Sequence, residues 1–291
     1  MKFKVGILGT GNIGTDLLFK ILKLDFIEVI IFAGRRYDSD GIKIAKSKNI
    51  TVTDKGIQYF IDNPKCCDLV YDCTNSEDAK KHAPILKSQG IKVIDLTPAK
   101  IGSMCVPYVN NEIILKEDNI NMITCGGQSS IPLLHVLSNH CDNIEYIEIV
   151  SQIASKSAGM ATRINVDDYI KTTKKAITQF TNCKNVKVIL NLNPAEPCVD
   201  MQTTIFIKSK NLNLSLLTDK VIDKIEQIKK YTPYYELIIP PKEEDGILIM
   251  GIKVRGNGDY LPEYAGNLDI INSAAIEVTK ILNKNEKHYN N

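Results

Sequence analysis

The sequence predicts an α/β protein: a doubly wound domain built on a parallel sheet, followed by a second domain of α+β type with a mixed or antiparallel sheet. Three observations predict it. Short apolar runs alternate with helix-spaced patterns through residues 1–124; a GxGxxG glycine pattern stands between the first run and the first helical pattern; and after Cys141 longer strand-like segments follow one another with only turns between. The first domain is expected over residues 1–124, with a C-terminal helix at 267–282 returning to it, and the second over 125–266.

Residues 3–8 form a continuous apolar run that ends in glycines, and residues 15–24 then carry Leu17, Leu18, Ile21 and Leu22 at helical spacing, so strand, tight turn and helix is the simplest reading. Runs at 27–33, 69–73, 93–96 and 121–124 read as further strands, with helices at about 41–48, 55–62 and 76–89 between them. This alternation implies βαβ units, hence a parallel sheet covered on both faces. Farther on, strands are expected at 146–154, 186–191, 203–208, 235–239 and 247–254, with helices near 166–180 and 218–231. The Lys/Asn-rich tail from Asn283 reads as disordered.

The chain has 291 residues, 44% of them hydrophobic, which is enough for two ordinary cores. Its 36 basic and 34 acidic side chains nearly cancel, so no strong field draws it to nucleic acid or to an anionic membrane, and a small-molecule partner is favoured. No basic segment followed by an apolar run opens the chain, and no stretch of about 18 apolar residues occurs, so a soluble, cytoplasmic protein is expected. The eight cysteines form no CxxC pair and no cluster with histidine, which argues against a metal site and against a disulfide framework. His82, His135, His140 and His288 are scattered, and each reads as structural unless folding brings it beside a nucleophile.

Gly9-Thr10-Gly11-Asn12-Ile13-Gly14 directly follows the first expected strand and opens the first expected helix, the setting of a Rossmann-type phosphate-binding turn. Gly9 permits the tight turn, Gly11 leaves room for a pyrophosphate against bare backbone, and Gly14 lets helix and strand pack closely. The helix N-terminus adds unpaired N–H groups and the positive end of its dipole. The second strand should end near the group that meets the adenosine ribose, about 20 residues on, and the chain there reads Ala33-Gly34-Arg35-Arg36-Tyr37-Asp38. Arg35 and Arg36 suit a 2′-phosphate, as in NADP; Asp38 or Asp40 could serve the ribose of NAD; and solvated surface arginines are the plain reading.

Cys125 sits in Thr124-Cys125-Gly126-Gly127-Gln128, where an apolar run ends and a helical pattern (Ile131, Leu134, Val136, Leu137) begins. A cysteine at a helix N-terminus should have its pKa lowered by the dipole and the nearby N–H groups, and the same N–H groups can stabilise an oxyanion. The competing reading is a small buried hydrophobe. Thiolate addition to an aldehyde gives a thiohemiacetal, whose carbon can lose hydride to a nicotinamide and leave a thioester for a second nucleophile to release. Coenzyme A, water or phosphate could each be that nucleophile, and spacing does not choose between them.

Six strings then carry a family resemblance: GTGNIGTDL at 9–17, IDLTPAKIGSMCVPYVN at 94–110, NMITCGGQSSIP at 121–132, IASKSAGMATRINVDDY at 153–169, NPAEP at 193–197 and YLPEYAGNLDIINSAA at 260–275. Together they resemble the acylating acetaldehyde dehydrogenases, over residues 4–277. The resemblance implies a nucleophile at Cys125, with the second domain catalytic and dimerising. It implies NAD contacts from Thr10, Gly11, Asn12 and Ile13, from Lys156, Ser157, Ala158, Gly159, Met160, Ala161, Thr162, Arg163 and Ile164, and from Asn267; Gly9, Gly14, Arg35 and Thr74 complete the expected cofactor set. It further implies coenzyme A as acyl acceptor, a homodimer, and a 4-hydroxy-2-oxoacid aldolase partner that hands over acetaldehyde, as in the breakdown of aromatic hydrocarbons. No metal is expected.

Two departures stand out. The family carries an aspartate several residues after NPAEP, whereas this chain has Thr203 there; Asp200 is three residues away, about 10 Å along a strand and on the other face. The segment between Pro233 and Tyr260 is also shorter than usual. The expected reaction is therefore a short aldehyde, CoA and NAD giving an acyl-CoA and NADH. The alternatives are a non-acylating or NADP-preferring semialdehyde dehydrogenase, and a dinucleotide-binding partner protein without turnover.

Overall fold

The computed structural model describes residues 2–210 and 212–289; the side chains of residues 160, 161 and 286–289, and with them Met160, Ala161 and His288, lie outside the described set. The chain divides into two compact units. One holds the residues up to Met122, Asp259–Leu261 and the residues from Ala275 onward; the other holds Ile123–Gly258 and Pro262–Ala274.

In the first unit the order is β1 (Phe3–Leu8), α1 (Asn12–Ile21), β2 (Ile27–Ala33), α2 (Asp40–Ser47), β3 (Val52–Thr53), α3 (Gln58–Asp62), β4 (Leu69–Asp72), α4 (Ser76–Ser88), β5 (Lys92–Asp95), β6 (Ser103–Met104), α5 (Glu112–Lys116) and β7 (Asn119–Asn121). The strands form one seven-stranded sheet in the order β3-β2-β1-β4-β5-β7-β6, every pair parallel. The strand order reverses between β1 and β4, which leaves a crevice beyond their carboxyl ends, the position where open α/β sheets take ligands. All four residues of β4 are buried, as a strand covered on both faces requires. Two-residue β3 and β6 have no apolar run to announce them, and α3 starts three residues later than expected, at Gln58.

The second unit contains α6 (Cys125–Ser138), β8 (Asp142–Ala154), a 3₁₀ turn at Ser155–Ser157, α7 (Met160–Ile164), α8 (Val166–Thr181), β9 (Val186–Asn193), β10 (Met201–Lys210), α9 (Leu214–Lys229), β11 (Tyr235–Glu244) and β12 (Ile247–Val254). Its five-stranded sheet runs β11-β12-β10-β8-β9 and is mixed: β8 and β9 pair in parallel across the α8 crossover, and the other pairs are antiparallel. The β11–β12 hairpin turns at Asp245-Gly246, both with positive φ (51° and 76°), the Asp-Gly signature of a tight hairpin whose twist matches its strands. Thus the predicted fold class holds in both sheets.

Helix α10 (Gly266–Tyr289) closes the chain; its residues 266–274 group with the second unit and those from 275 with the first. The tail from Asn283, read as disordered, instead continues this helix to Tyr289. Among the described residues no helix is long and apolar enough to cross a membrane.

Candidate active site

The glycine turn lies between β1 and α1, against the end of β4. Gly9 has φ +112°, and a Cβ there would stand 2.6 Å from the Cys73 carbonyl oxygen; a Cβ at Gly14 would stand 1.9 Å from the Gly9 carbonyl oxygen. A Cβ at Gly11 would meet nothing within 4 Å, so that face of the turn is open backbone. Thr10 hydrogen-bonds Ser39 (3.2 Å) at the start of α2, and Thr74 donates to Asp72 through both its backbone N–H and its hydroxyl. Arg35 is not a lone cation: its guanidinium meets Asp78 on α4 at 3.0 Å, while Arg36 meets Asp38 at 3.3 Å.

Beneath the turn, at the carboxyl ends of β4 and β5, lies a buried polar cluster that no motif announces. Asp72 is paired with His82 at 2.8 Å, and Asp95 accepts from the Thr97 N–H (2.8 Å) and from Asn121 Nδ2 (2.9 Å). Burial, then the neighbouring Asp72 carboxylate, pushes the Asp95 carboxyl up to about 7. A carboxyl raised in the fold favours the folded state most when protonated. Its contribution is complete below the unfolded value of 3.8 and is lost as pH rises through about 7. The melting temperature of the wild type should therefore fall between pH 5 and pH 8 relative to Asp95→Asn, by the equivalent of a few kcal/mol at most. Parallel curves in a thermal melt series would show that Asp95 does not titrate in that window.

In the second unit Cys125 is the first residue of α6. Thr124 caps the helix, its hydroxyl accepting from the Gly127 N–H at 3.0 Å. Ile123, just before the cap, has φ +66°, a strained left-handed conformation for a β-branched residue, worth about 1–3 kcal/mol and held in place by its surroundings. The chain enters the helix through a sharp elbow, and the cysteine stands at its tip.

The lowered pKa expected for this thiol is not found. Burial pushes Cys125 up to about 11, outweighing the Tyr169 hydroxyl, the Gly126 N–H and the residue's own N–H, which all favour the thiolate. Backbone N–H groups of Cys125 and Gly126 act on the sulfur, while that of Gly127 is engaged by the Thr124 cap. Desolvation exceeds what so short an array of dipoles returns.

Tyr169, on α8, is the side chain facing the thiol, its hydroxyl 3.8 Å from Cys125 Sγ. Thr203 on β10 lies between Ser129 of α6 and Ser151 of β8, with its hydroxyl 3.1 Å from each, and all three are buried. Asp200, the alternative acid, faces Arg255 at 3.3 Å. The histidines are engaged elsewhere: His135 Nδ1 with the Phe180 carbonyl at 3.3 Å, and His140 Nδ1 with that of Val136 at 2.8 Å.

The 155–164 loop is closed by Arg163, which donates to the Ser155 and Ala158 carbonyls (2.8 and 3.0 Å), and by Ser157, which donates to the Ala154 carbonyl (2.8 Å). Lys156 is ion-paired with Glu196, Gly159 has open space where a Cβ would be, and Ile164 is 72% exposed. Thr162 lies within α7. Asn267, at the start of α10, is 2% exposed, and its Oδ1 has no hydrogen-bond partner among the described residues.

Residues 4–123 match the family model described as semialdehyde dehydrogenase, NAD binding domain, and residues 125–262 match that of prokaryotic acetaldehyde dehydrogenase, dimerisation. The chain is 48% identical to an acetaldehyde dehydrogenase of Pectobacterium atrosepticum, over 97% of this chain and 96% of that one. It is 50% identical to one from Spirochaeta aurantia, over 95% and 93%. The chain belongs to the acetaldehyde dehydrogenase family.

As a member of that family it is an oxidoreductase with an NAD-binding domain. Its fold is also that of the aspartate semialdehyde dehydrogenase II of Vibrio cholerae solved with ASA (TM-score 0.64, 16% identity, 98% of this chain and 99% of that one). The aspartate semialdehyde dehydrogenase of Candida albicans, solved with NADP, is similar as well (TM-score 0.67, 12% identity, 97% and 99%). At such identities the likeness is one of fold alone.

Proposed function

We propose that this acetaldehyde dehydrogenase is acylating: it oxidises acetaldehyde on Cys125 and passes the acetyl group to coenzyme A. The observation that carries the reading is the placement of Cys125 at the tip of a strained elbow, first in α6, with Tyr169 and two backbone N–H groups around its sulfur. Thiolate attack on the aldehyde carbon forms a C–S bond and an alkoxide, and the N–H groups that favour the thiolate favour that oxyanion as well. NAD, when bound, would supply the acceptor for the hydride that the thiohemiacetal carbon loses as its carbonyl reforms. Cys125 then holds a thioester, the CoA thiol attacks its carbonyl carbon, and the Cys125 thiolate leaves with acetyl-CoA as product.

The cofactor is proposed to lie with its pyrophosphate on the open backbone at Gly11, held by the turn from Gly9 to Gly14 with Thr74 beside it. The unpartnered Asn267 Oδ1 suits an amide N–H donor, such as the nicotinamide carboxamide. Residues 156–164 complete the proposed set, Lys156 as a phosphate contact once it leaves Glu196. NAD is the proposed cofactor, in keeping with the NAD-binding domain model that residues 4–123 match, and Arg35 can exchange its exposed pair with Asp78 for a cofactor contact. The match of residues 125–262 to a dimerisation model supports a homodimer, and the family resemblance supports an aldolase as aldehyde donor.

The test is the initial rate of NADH formation from acetaldehyde and NAD, with and without CoA. Sustained turnover is expected only with CoA, with acetyl-CoA accumulating in step with NADH; without it, at most one NADH per active site should form. Sustained CoA-independent oxidation to acetate would replace this reading with the non-acylating one.

A further inference from the structure

The hydroxyl groups behind Cys125 form a continuous file. Cys125 Sγ lies 3.8 Å from Tyr169 Oη; Tyr169 Oη and Ser151 Oγ stand together over Gly126, 2.1 and 3.2 Å from where its Cβ would be, with Ser151 acting on the phenol as a hydrogen-bond partner; Ser151 Oγ lies 3.1 Å from Thr203 Oγ1; and Thr203 Oγ1 lies 3.1 Å from Ser129 Oγ. The file draws on α6, α8, β8 and β10, and its four hydroxyl residues are buried. Ser129 donates to the Gly126 carbonyl at 3.0 Å, and Ser130 donates to the same oxygen at 2.7 Å.

Each hydroxyl has one proton to donate, which fixes the direction of the file. With the Ser129 proton on the Gly126 carbonyl, Thr203 must donate to Ser129, Ser151 to Thr203 and Tyr169 to Ser151. The phenol then has no proton left for the sulfur, and the arrangement suits a neutral thiol that donates to Tyr169. A charged sulfur requires the reverse, with every hydroxyl turned towards Cys125. Ser129 can turn away without orphaning the Gly126 carbonyl, since Ser130 keeps it bonded. Both directions are therefore fully hydrogen-bonded, and they differ only in rotation about C–O bonds.

We propose, resting on the reading of Cys125 as nucleophile, that Tyr169 is a second catalytic residue and that Ser151, Thr203 and Ser129 are positioning residues behind it. When the sulfur is charged the file turns over as a unit and Tyr169 donates to it. No net proton moves along the file, because each oxygen keeps one proton throughout; the thiol proton leaves to water. Thr203 thus serves the thiolate through hydrogen-bond donation along the file, without taking up its proton. Gly126 belongs to the device: a Cβ there would stand 2.1 Å from Tyr169 Oη and 3.2 Å from Ser151 Oγ. Burial holds Tyr169 itself neutral, with its pKa well above the usual value, so the phenol stays a donor across the working pH range. Among the described groups acting on the thiol, Tyr169 is the one ionisable side chain.

The test is the pH dependence of Cys125 alkylation by iodoacetamide, followed by peptide mass spectrometry in wild type, Tyr169→Phe, Thr203→Val and Thr203→Ser. Tyr169→Phe should move the alkylation midpoint to higher pH and slow the reaction at pH 8 about tenfold, the effect of losing one hydrogen bond to a charged group. Thr203→Val should slow it about threefold by shortening the polarised file, and Thr203→Ser should restore the wild-type profile. A Tyr169→Phe profile superposing on wild type overturns the role of the phenol. Equal slowing in Thr203→Val and Thr203→Ser shows that packing rather than the hydroxyl matters, and overturns the file. Should Tyr169→Phe not fold, the Thr203 pair decides alone. Alkylation needs neither CoA nor aldehyde, so failure of the acylating reading leaves this readout intact.

Discussion

Cys125→Ala is expected to lower NADH formation from acetaldehyde by at least about three orders of magnitude while leaving NAD affinity within about twofold of wild type. The magnitude follows from the chemistry rather than from packing. Without sulfur there is no covalent adduct, and hydride would have to leave a hydrated aldehyde that no described carboxylate or histidine beside Cys125 could deprotonate. Stability should change little, since the substitution removes a single sulfur atom and Ala is a good helix former. Cys125→Ser should be nearly as inactive, because a hydroxyl in the surroundings that push a thiol to about 11 is far from ionising at neutral pH. Retention of more than about a tenth of wild-type turnover in Cys125→Ala would remove the thioester from the mechanism.

These expectations draw on residues that were unequally visible in the sequence. The phosphate turn and the cysteine elbow could be located because each joins an apolar run to a helical pattern, and glycine marks the joints where a Cβ would collide. Their surroundings could not. Tyr169 meets the thiol only because α8 returns across the sheet between β8 and β9, and Thr203 meets Ser151 only through the register of β10 on β8. Nothing in residue spacing encodes that register.

The thiol's ionisation departs from the helix-terminus expectation for a related reason. A helix N-terminus can be read from local sequence, but the desolvation that outweighs it comes from segments distant in the chain. Asp95 and Asp72 likewise sit in strands that look purely structural in one dimension, and their mutual repulsion emerges when β4 pairs with β5. Arg35 shows the converse. In the sequence it is a cation without a partner, and folding brings Asp78 of α4 to it.

Substitution of the turn glycines should separate folding from cofactor binding, with the largest effect at Gly14. Gly14→Ala places a Cβ 1.9 Å from the Gly9 carbonyl oxygen, and Gly9 is held from the other side by its N–H bond to the Ala33 carbonyl at 2.8 Å. Helix α1 must therefore shift away from β1. NAD affinity should fall by at least about a hundredfold, equivalent to about 2.7 kcal/mol, and the melting temperature should fall with it.

Gly11→Ala is the informative contrast. Its new methyl meets nothing within 4 Å of the folded chain, so the melting temperature should stay at the wild-type value. The methyl would nonetheless occupy the open backbone face assigned to the pyrophosphate, so calorimetric titration should show NAD affinity reduced about tenfold or more. If Gly11→Ala binds NAD as tightly as wild type while Gly14→Ala melts early, the glycines of this turn serve packing alone. The pyrophosphate would then have to lie elsewhere along the carboxyl ends of β1 and β4.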